Sequence, residues 1–94
     1  MDLVFEWDEE KANRNEAKHG VAFEEAKTIF NDPFAMTISD PDHSDGEERW
    51  LDIGLSAEGS LLVVWYTERG EIIRIIGSRK ATKAEERTYA HERI

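Results

Sequence analysis

Arg74, Arg79 and Lys80 interrupt an apolar, strand-forming run, EIIRIIGSRKAT at residues 71–82. Ile72, Ile73, Ile75 and Ile76 are β-branched and fall on both faces of any strand they form, the pattern of a strand covered on both sides. Arg74 therefore cannot simply point into bulk water. A half-buried guanidinium persists when it is paired, and its planar fork of donors matches a carboxylate or a phosphate. Two readings follow: an internal bridge to an Asp or Glu, or a site for an anion brought from outside.

A second group lies near the N-terminus, where Lys11, Asn15 and Lys18 recur at helical spacing and form a polar, basic stripe. His19 follows Lys18 at the helix end. A histidine there either satisfies the last carbonyls or, beside a bound anion, does general acid or base work on a phosphate ester. Trp50, Trp65 and Tyr66 offer faces for stacking on bases, although strand aromatics in a small sheet also serve as core. Residues 40–48, DPDHSDGEE, present spaced oxygen donors in Asp40, Asp42, Ser44 and Asp45. The match to an EF-hand loop fails, because Gly46 falls one residue late and Leu51 stands where a bidentate glutamate is required. The segment reads as a solvated turn, and His43 and His91 need no role.

The elements that must position these groups follow from the flanking residues. Residues 3–7 (LVFEW) read as a short strand ended by Asp8, which looks like a helix N-cap. Glu9 and Glu10 fall in the positive first turn, Lys18 and His19 in the negative last turn, and Gly20 where a left-handed residue belongs. In residues 21–30, Phe23, Ala26, Ile29 and Phe30 recur at three or four residues, which marks an amphipathic helix stopped by Asn31, Asp32 and Pro33. Residues 34–39, 50–55, 61–67 and 71–78 read as strands, the last three joined by hairpin-length turns. Thr82 and Glu85 form a capping box that opens a C-terminal helix. The order predicts an α+β domain spanning residues 1–94, with helices on an antiparallel sheet.

Composition bounds the chemistry. Ninety-four residues with 39% hydrophobic content suit one soluble domain with one core. With no cysteine, there is no disulfide, thiolate nucleophile or sulfur-bound zinc. No apolar run approaches the roughly 20 residues that span a bilayer, and the N-terminus lacks a secretory pattern, so a cytoplasmic protein is expected. The formal charge of −9 argues against generic nucleic-acid binding. That charge is unevenly spread. Residues 1–67 hold five Lys or Arg against sixteen Asp or Glu, whereas residues 68–94 hold seven against five. The basic groups concentrate around the arginine strand, as either a localised anion site or part of a surface for a protein partner.

These residues taken together resemble the BrnT family, toxins of bacterial type II toxin–antitoxin pairs within the wider RelE-like ribonuclease group. The likeness rests on FEWDEEKANRNEAKHGVAFEEAKTIF at 5–30, on Glu48 and Arg49, on LLVVWYTERG at 61–70 and on IIRIIGSRKATKAEERTY at 72–89. Gly77 and Ser78 stand where the family's S-A-R-K-A motif has serine and alanine, and Ala22 replaces a serine that would cap the second helix. The resemblance implies a RelE-like sheet with two helices from the N-terminal half packed on it and a C-terminal helix. It also implies a metal-independent endoribonuclease with no cofactor, which inhibits translation and is neutralised by a BrnA-like antitoxin that alone contacts DNA. By analogy with such toxins, the RNA 2′-hydroxyl attacks its adjacent phosphorus. Carried onto this chain, Arg74 and Arg79 stabilise the phosphate and its transition state, and His19 transfers a proton. Lys11, Lys18, Arg49, Arg69 and Lys80 position RNA. The pI of 4.7 is low for an RNA-binding enzyme and fits either substrate taken on the ribosome or a weakened activity. The competing reading is a non-catalytic module whose basic strand grips an acidic partner segment.

Overall fold

The computed structural model describes residues 3–40 and 46–92. Strand β1 (Val4–Glu6) leads directly into α1 (Glu9–His19) through Asp8, whose carboxylate accepts a bond from the Lys11 N–H at 3.0 Å. That bond holds the Asp8 pKa below its ordinary value. At the other end Gly20 takes φ 71°, and its N–H bonds the Glu16 carbonyl. The left-handed turn that glycine permits ends the helix as the sequence predicts.

Within α1 only Ala12 is buried, so apolar packing alone does not fasten it. The fastening comes from Asn15, whose Nδ2 donates to the carbonyls of Val21 at 3.0 Å and Ser78 at 2.9 Å. Its Oδ1 accepts from the Ser78 N–H at 3.1 Å. This amide does for the far half of strand β5 (Ile72–Lys80) what a neighbouring strand would do, because β1 pairs only with Ile72, Ile73 and Arg74. Asn15 thus departs from the basic stripe expected of it. It faces the sheet, while Lys11 and Lys18 stay exposed.

Helix α2 (Phe23–Ala26) runs on into a 3₁₀ turn (Lys27–Asn31), and Ala22 offers it no side-chain cap. The expected apolar positions Phe23, Ala26 and Ile29 are all buried. The chain then forms β2 (Met36–Ser39), β3 (Arg49–Leu55), β4 (Leu61–Arg69), β5 and α3 (Lys83–Glu92). Residues 41–45, which hold Asp42, His43, Ser44 and Asp45 of the calcium-like run, lie outside the described residues.

The sheet order is β1-β5-β4-β3-β2, with β2 to β5 antiparallel and β1 parallel to β5. The α+β class is as expected, but the sheet is mixed rather than wholly antiparallel. Short turns force consecutive strands into opposite senses, whereas β1 and β5 are the first and last strands and no turn dictates their relation.

Each face of the sheet is covered. Leu62, Val64, Tyr66, Ile73 and Ile75 pack with Val21, Phe23, Ala26 and Ile29 on the α1–α2 side. Ile53 and Val63 meet Tyr89 of α3 on the other side, flanked by Met36, Leu51 and Trp65. Truncating Phe23, 2% exposed, would remove about 3–5 kcal/mol of packing. The 3₁₀ turn comes so near β3 that a Cβ on Gly54 would sit 3.1 Å from that of Ile29, so any side chain there would require its neighbours to shift by a few tenths of an ångström. Asp32 ties the layers together, accepting from the Leu55 N–H at 2.8 Å and the Tyr89 hydroxyl at 2.6 Å. Among the described residues, no helix is long and apolar enough to cross a membrane.

Candidate nucleic-acid interface

Directly opposed residues on paired strands share a face, so register alone assembles the first group. Glu6 of β1 lies opposite Arg74 of β5, Arg74 opposite Thr67 of β4, and Thr67 opposite Arg49 of β3. Arg69 follows Thr67 by two residues on β4 and therefore joins the same face. Arg49, Thr67, Arg69 and Arg74 line a cleft of about 330 Å³ with Lys11, Glu47 and Ile76, and Glu6 reaches it only through its bond with Arg74.

Within the cleft the cations meet carboxylates of the chain itself. Arg74 Nη1 donates to Glu6 Oε2 at 3.0 Å. Arg69 is bidentate on Glu47, Nε to Oε2 at 2.9 Å and Nη2 to Oε1 at 3.2 Å. Arg49 Nε lies 3.7 Å from Asp40 Oδ2. The hydrogen bond from Arg69, with the nearby charges of Arg69 and Arg74, holds the Glu47 carboxyl below its ordinary range. That carboxylate is charged at neutral pH and competes for the same donors a phosphate would use.

A second cleft of about 350 Å³ adjoins the first, lined by Lys11, Arg14, Asn15, Lys18, His19 and Ile76. Lys11 and Ile76 belong to both. The shared wall has a local cause. The β4–β5 register passes from Trp65↔Gly77 to Tyr66↔Ile75, leaving Ile76 as the extra residue of a bulge. Beside it, Asn15 docks α1 on the strand and so brings Lys11 to the arginine cleft. Together the clefts form a basic track from His19 to Arg49.

Arg79 belongs to a different corner of the same face, opposite Val63 and roughly 15 Å along the strand from Arg74. Its Nη1 and Nη2 donate to Glu85 Oε1 and Oε2 at 2.7 and 3.0 Å, and its guanidinium lies 5.2 Å from the centroid of Trp65. Glu85 also accepts from the Thr82 N–H at 2.8 Å, while Thr82 Oγ1 accepts from the Glu85 N–H at 3.2 Å. The expected capping box is present. The Arg79 bonds, with help from Thr82, hold the Glu85 pKa down at about 2. Lys80, opposite Leu62, falls on the other face.

Of the residues singled out from the sequence, the fold brings Arg74, Arg49, Arg69 and Lys11 into one cleft and places Lys18 and His19 beside it. It separates Arg79 and Lys80 from that group. Tyr66 and Trp50 belong to the core, and the Tyr66 hydroxyl donates to the buried Asp52 at 2.8 Å. Desolvation raises the Asp52 pKa against that bond. Trp65 lies under Arg79 rather than in the track. Sequence reading missed Thr67, Arg14 and the two carboxylates Glu6 and Glu47. Strand alternation from Arg69 back to Thr67 was the available signal for the first. Among the described residues, no three His, Asp or Glu side chains gather as a metal-binding group.

Comparison with known families decides the assignment: the sequence model described as "Ribonuclease toxin, BrnT, of type II toxin-antitoxin system" matches residues 7–85. The chain belongs to the BrnT family. The matched span includes both clefts and the Arg79–Glu85 pair, and stops just short of Glu6. The chain is also similar to the crystal structure of the Brucella abortus ribonuclease toxin BrnT, with a TM-score of 0.68 and 22% identity. That alignment covers 87% of this chain and 100% of the Brucella toxin, so the two share a fold. A search of curated proteins gave no match. Membership makes this chain one of a family of ribonuclease toxins of type II toxin–antitoxin systems.

Proposed function

We propose that this BrnT family member is an active, metal-independent endoribonuclease of the cytoplasm that arrests translation until a BrnA-like antitoxin neutralises it. The observation that carries the reading is the cleft in which Arg74, Arg49, Arg69 and Lys11 converge, continued by Lys18 and His19. A phosphodiester seated there faces several cations in a partly desolvated site, the arrangement that stabilises the extra charge of a phosphorane. In the reaction, the RNA 2′-oxygen forms a bond to phosphorus and the 5′-oxygen leaves. The 2′-hydroxyl loses a proton and the 5′-oxygen gains one, so the products are a 2′,3′-cyclic phosphate and a 5′-hydroxyl. Arg74 is assigned to transition-state charge and His19 to proton transfer, with Arg49, Arg69, Lys11 and Lys18 aligning the strand. Arg79, already bidentate on Glu85, supports the fold at the far end and reaches RNA only by leaving that partner. Lys80, on the other face, is assigned to peripheral RNA contact.

Charge shapes the partners. A molecule of net −9 holds free RNA weakly, and a ribosome-bound message supplies positioning that this surface lacks. The antitoxin is assigned an acidic segment that replaces Glu6 and Glu47 on the arginines, with its DNA-binding part left clear of the acidic toxin surface. The same pairing supports the second reading, an interaction module without catalysis, because each cleft arginine already accepts a carboxylate as partner.

Purified protein incubated with RNA separates the two. Cleavage that persists in EDTA and leaves 2′,3′-cyclic or 3′-phosphate ends is the expected result, together with growth arrest on induction that the adjacent antitoxin gene relieves. Cleavage abolished by chelator and restored by magnesium would sink the 2′-hydroxyl mechanism. Growth arrest without any RNA cleavage would favour the interaction module.

A further inference from the structure

Buried hydroxyls in this fold have partners, with one exception among the described residues. Ser78 donates to the Val63 carbonyl at 2.9 Å, Ser56 to Glu25 at 2.7 Å, Tyr66 to Asp52 at 2.8 Å and Tyr89 to Asp32 at 2.6 Å. Thr67 is equally buried, at 5% exposure, yet its Oγ1 is screened from solvent and bonds to nothing. Native proteins rarely leave such a group unsatisfied, and one that does calls for an explanation, a catalytic or binding role among them.

The surroundings specify that partner. Thr67 lies opposite Arg49 and Arg74 and two residues from Arg69, and it lines the arginine cleft. Guanidinium groups only donate, so the hydroxyl proton of Thr67 finds no acceptor on them. An acceptor that satisfies the arginines and Thr67 at once is an oxyanion. Its charge follows from the residues present: Lys11, Arg49, Arg69 and Arg74 stand against Glu6, Asp40 and Glu47, an excess of one positive charge. That excess suits the single negative charge of a phosphodiester better than the double charge of a monoester.

We propose that Thr67 is a positioning residue of the cleft, its Oγ1–H donating to a non-bridging oxygen of a seated phosphodiester. Arg74 and Arg69 turn from Glu6 and Glu47 onto the same group, a rearrangement that must also open the Thr67 hydroxyl to it. The proposal rests on reading the cleft as the RNA site and adds to it a neutral, buried donor that orients the phosphate. A donor fixed in a strand is pre-organised, whereas the arginines must choose between phosphate and carboxylate.

The test uses the full chain and a 2′-deoxy dinucleotide, a diester that lacks the attacking hydroxyl and cannot be cleaved by this route. Calorimetry should find Thr67→Val binding it about tenfold more weakly than the parent, the loss of one hydrogen bond to a charged group. The same variant should melt at or above the parent temperature, because an unsatisfied polar group has been replaced by an apolar one of like shape. Thr67→Ser should restore affinity to within about threefold, since it returns the hydroxyl. Inorganic phosphate should bind less tightly than the dinucleotide. Equal affinity in Thr67→Val and parent would overturn the proposal, as would a Thr67→Val variant that melts well below the parent, which would mean the hydroxyl has a structural partner. Phosphate binding more tightly than the diester would overturn the diester assignment. If the parent cleaves RNA and Thr67→Val cleaves it with the same kcat/KM, only the role of Thr67 fails. If the parent neither binds the dinucleotide nor cleaves RNA, the reading of the cleft fails with it.

Discussion

At the Arg79 corner a guanidinium gives both terminal nitrogens to one carboxylate, lies against an indole face and closes a helix cap. At the Arg74 end of the same sheet face, three arginines each meet a carboxylate of their own, Glu6, Glu47 and Asp40, and with Lys11 they surround a cleft lined by Thr67, whose hydroxyl is unsatisfied. The residue types are the same. What differs is stoichiometry and closure. Arg79 and Glu85 balance one charge against one, whereas the cleft holds Lys11 besides its three arginine–carboxylate pairs, and a buried hydroxyl without a hydrogen-bond partner. On the proposed reading, the surroundings that the fold supplies, and not the arginine itself, separate a structural clamp from a site for an outside anion.

Exchanging the two corners by mutation is the sharpest way to break this comparison. Arg74→Ala is expected to lower RNA cleavage about 100-fold or more, equivalent to about 3 kcal/mol of transition-state stabilisation, while the thermal melt stays near that of the parent. A variant that cleaves like the parent would remove Arg74 from the chemistry. Arg79→Ala should show the reverse pattern, losing about 1–2 kcal/mol of stability in urea titration, since its ion pair and stacking contact are part-exposed and screened. Its cleavage, measured well below its melting temperature, should remain within about threefold of the parent. Loss of cleavage without loss of stability would instead bring Arg79 into the active machinery.

Acid distinguishes the corners again. The Glu85 carboxyl is held at about 2 against an ordinary 4.5, so its folded-state pKa is depressed. Its contribution to stability is therefore fully present above about 4.5 and is lost as the pH falls from there through about 2. Melts across that window should fall more steeply for the parent than for Glu85→Gln, and parallel curves would mean that the clamp contributes little. The smallest effect is expected at the open end. Glu47→Gln releases Arg69 from a fully charged competitor, so affinity for the 2′-deoxy dinucleotide should rise about two- to threefold while the melting temperature stays where it was. Unchanged affinity would show that Glu47 does not compete with the ligand.

Much of this architecture was legible along the chain because its signals are local. Asp8 and Gly20 bound α1 through backbone hydrogen bonds a few residues long, and Thr82 and Glu85 open α3 by the same logic. Phe23, Ala26 and Ile29 announced their buried face by spacing alone. Asn15 was misread as part of a basic stripe, because helical periodicity cannot tell a polar residue facing water from one satisfying a strand edge 63 positions away. The parallel pairing of β1 with β5 was equally hidden, since no turn connects them.

The sequence by itself determined the α+β class, the family through its motifs, and the presence of unusual arginines in an apolar strand. Each of these depends on residue type and short-range order. Which arginines lie together was decided only by tertiary structure. Cross-strand register put Arg49, Thr67 and Arg74 in one row and left Arg79 opposite Val63, where Glu85 meets it, and a bulge at Ile76 joined that row to α1. Register, bulge and helix docking are relations between distant segments, set by burial of both sheet faces at once, and no local pattern encodes them.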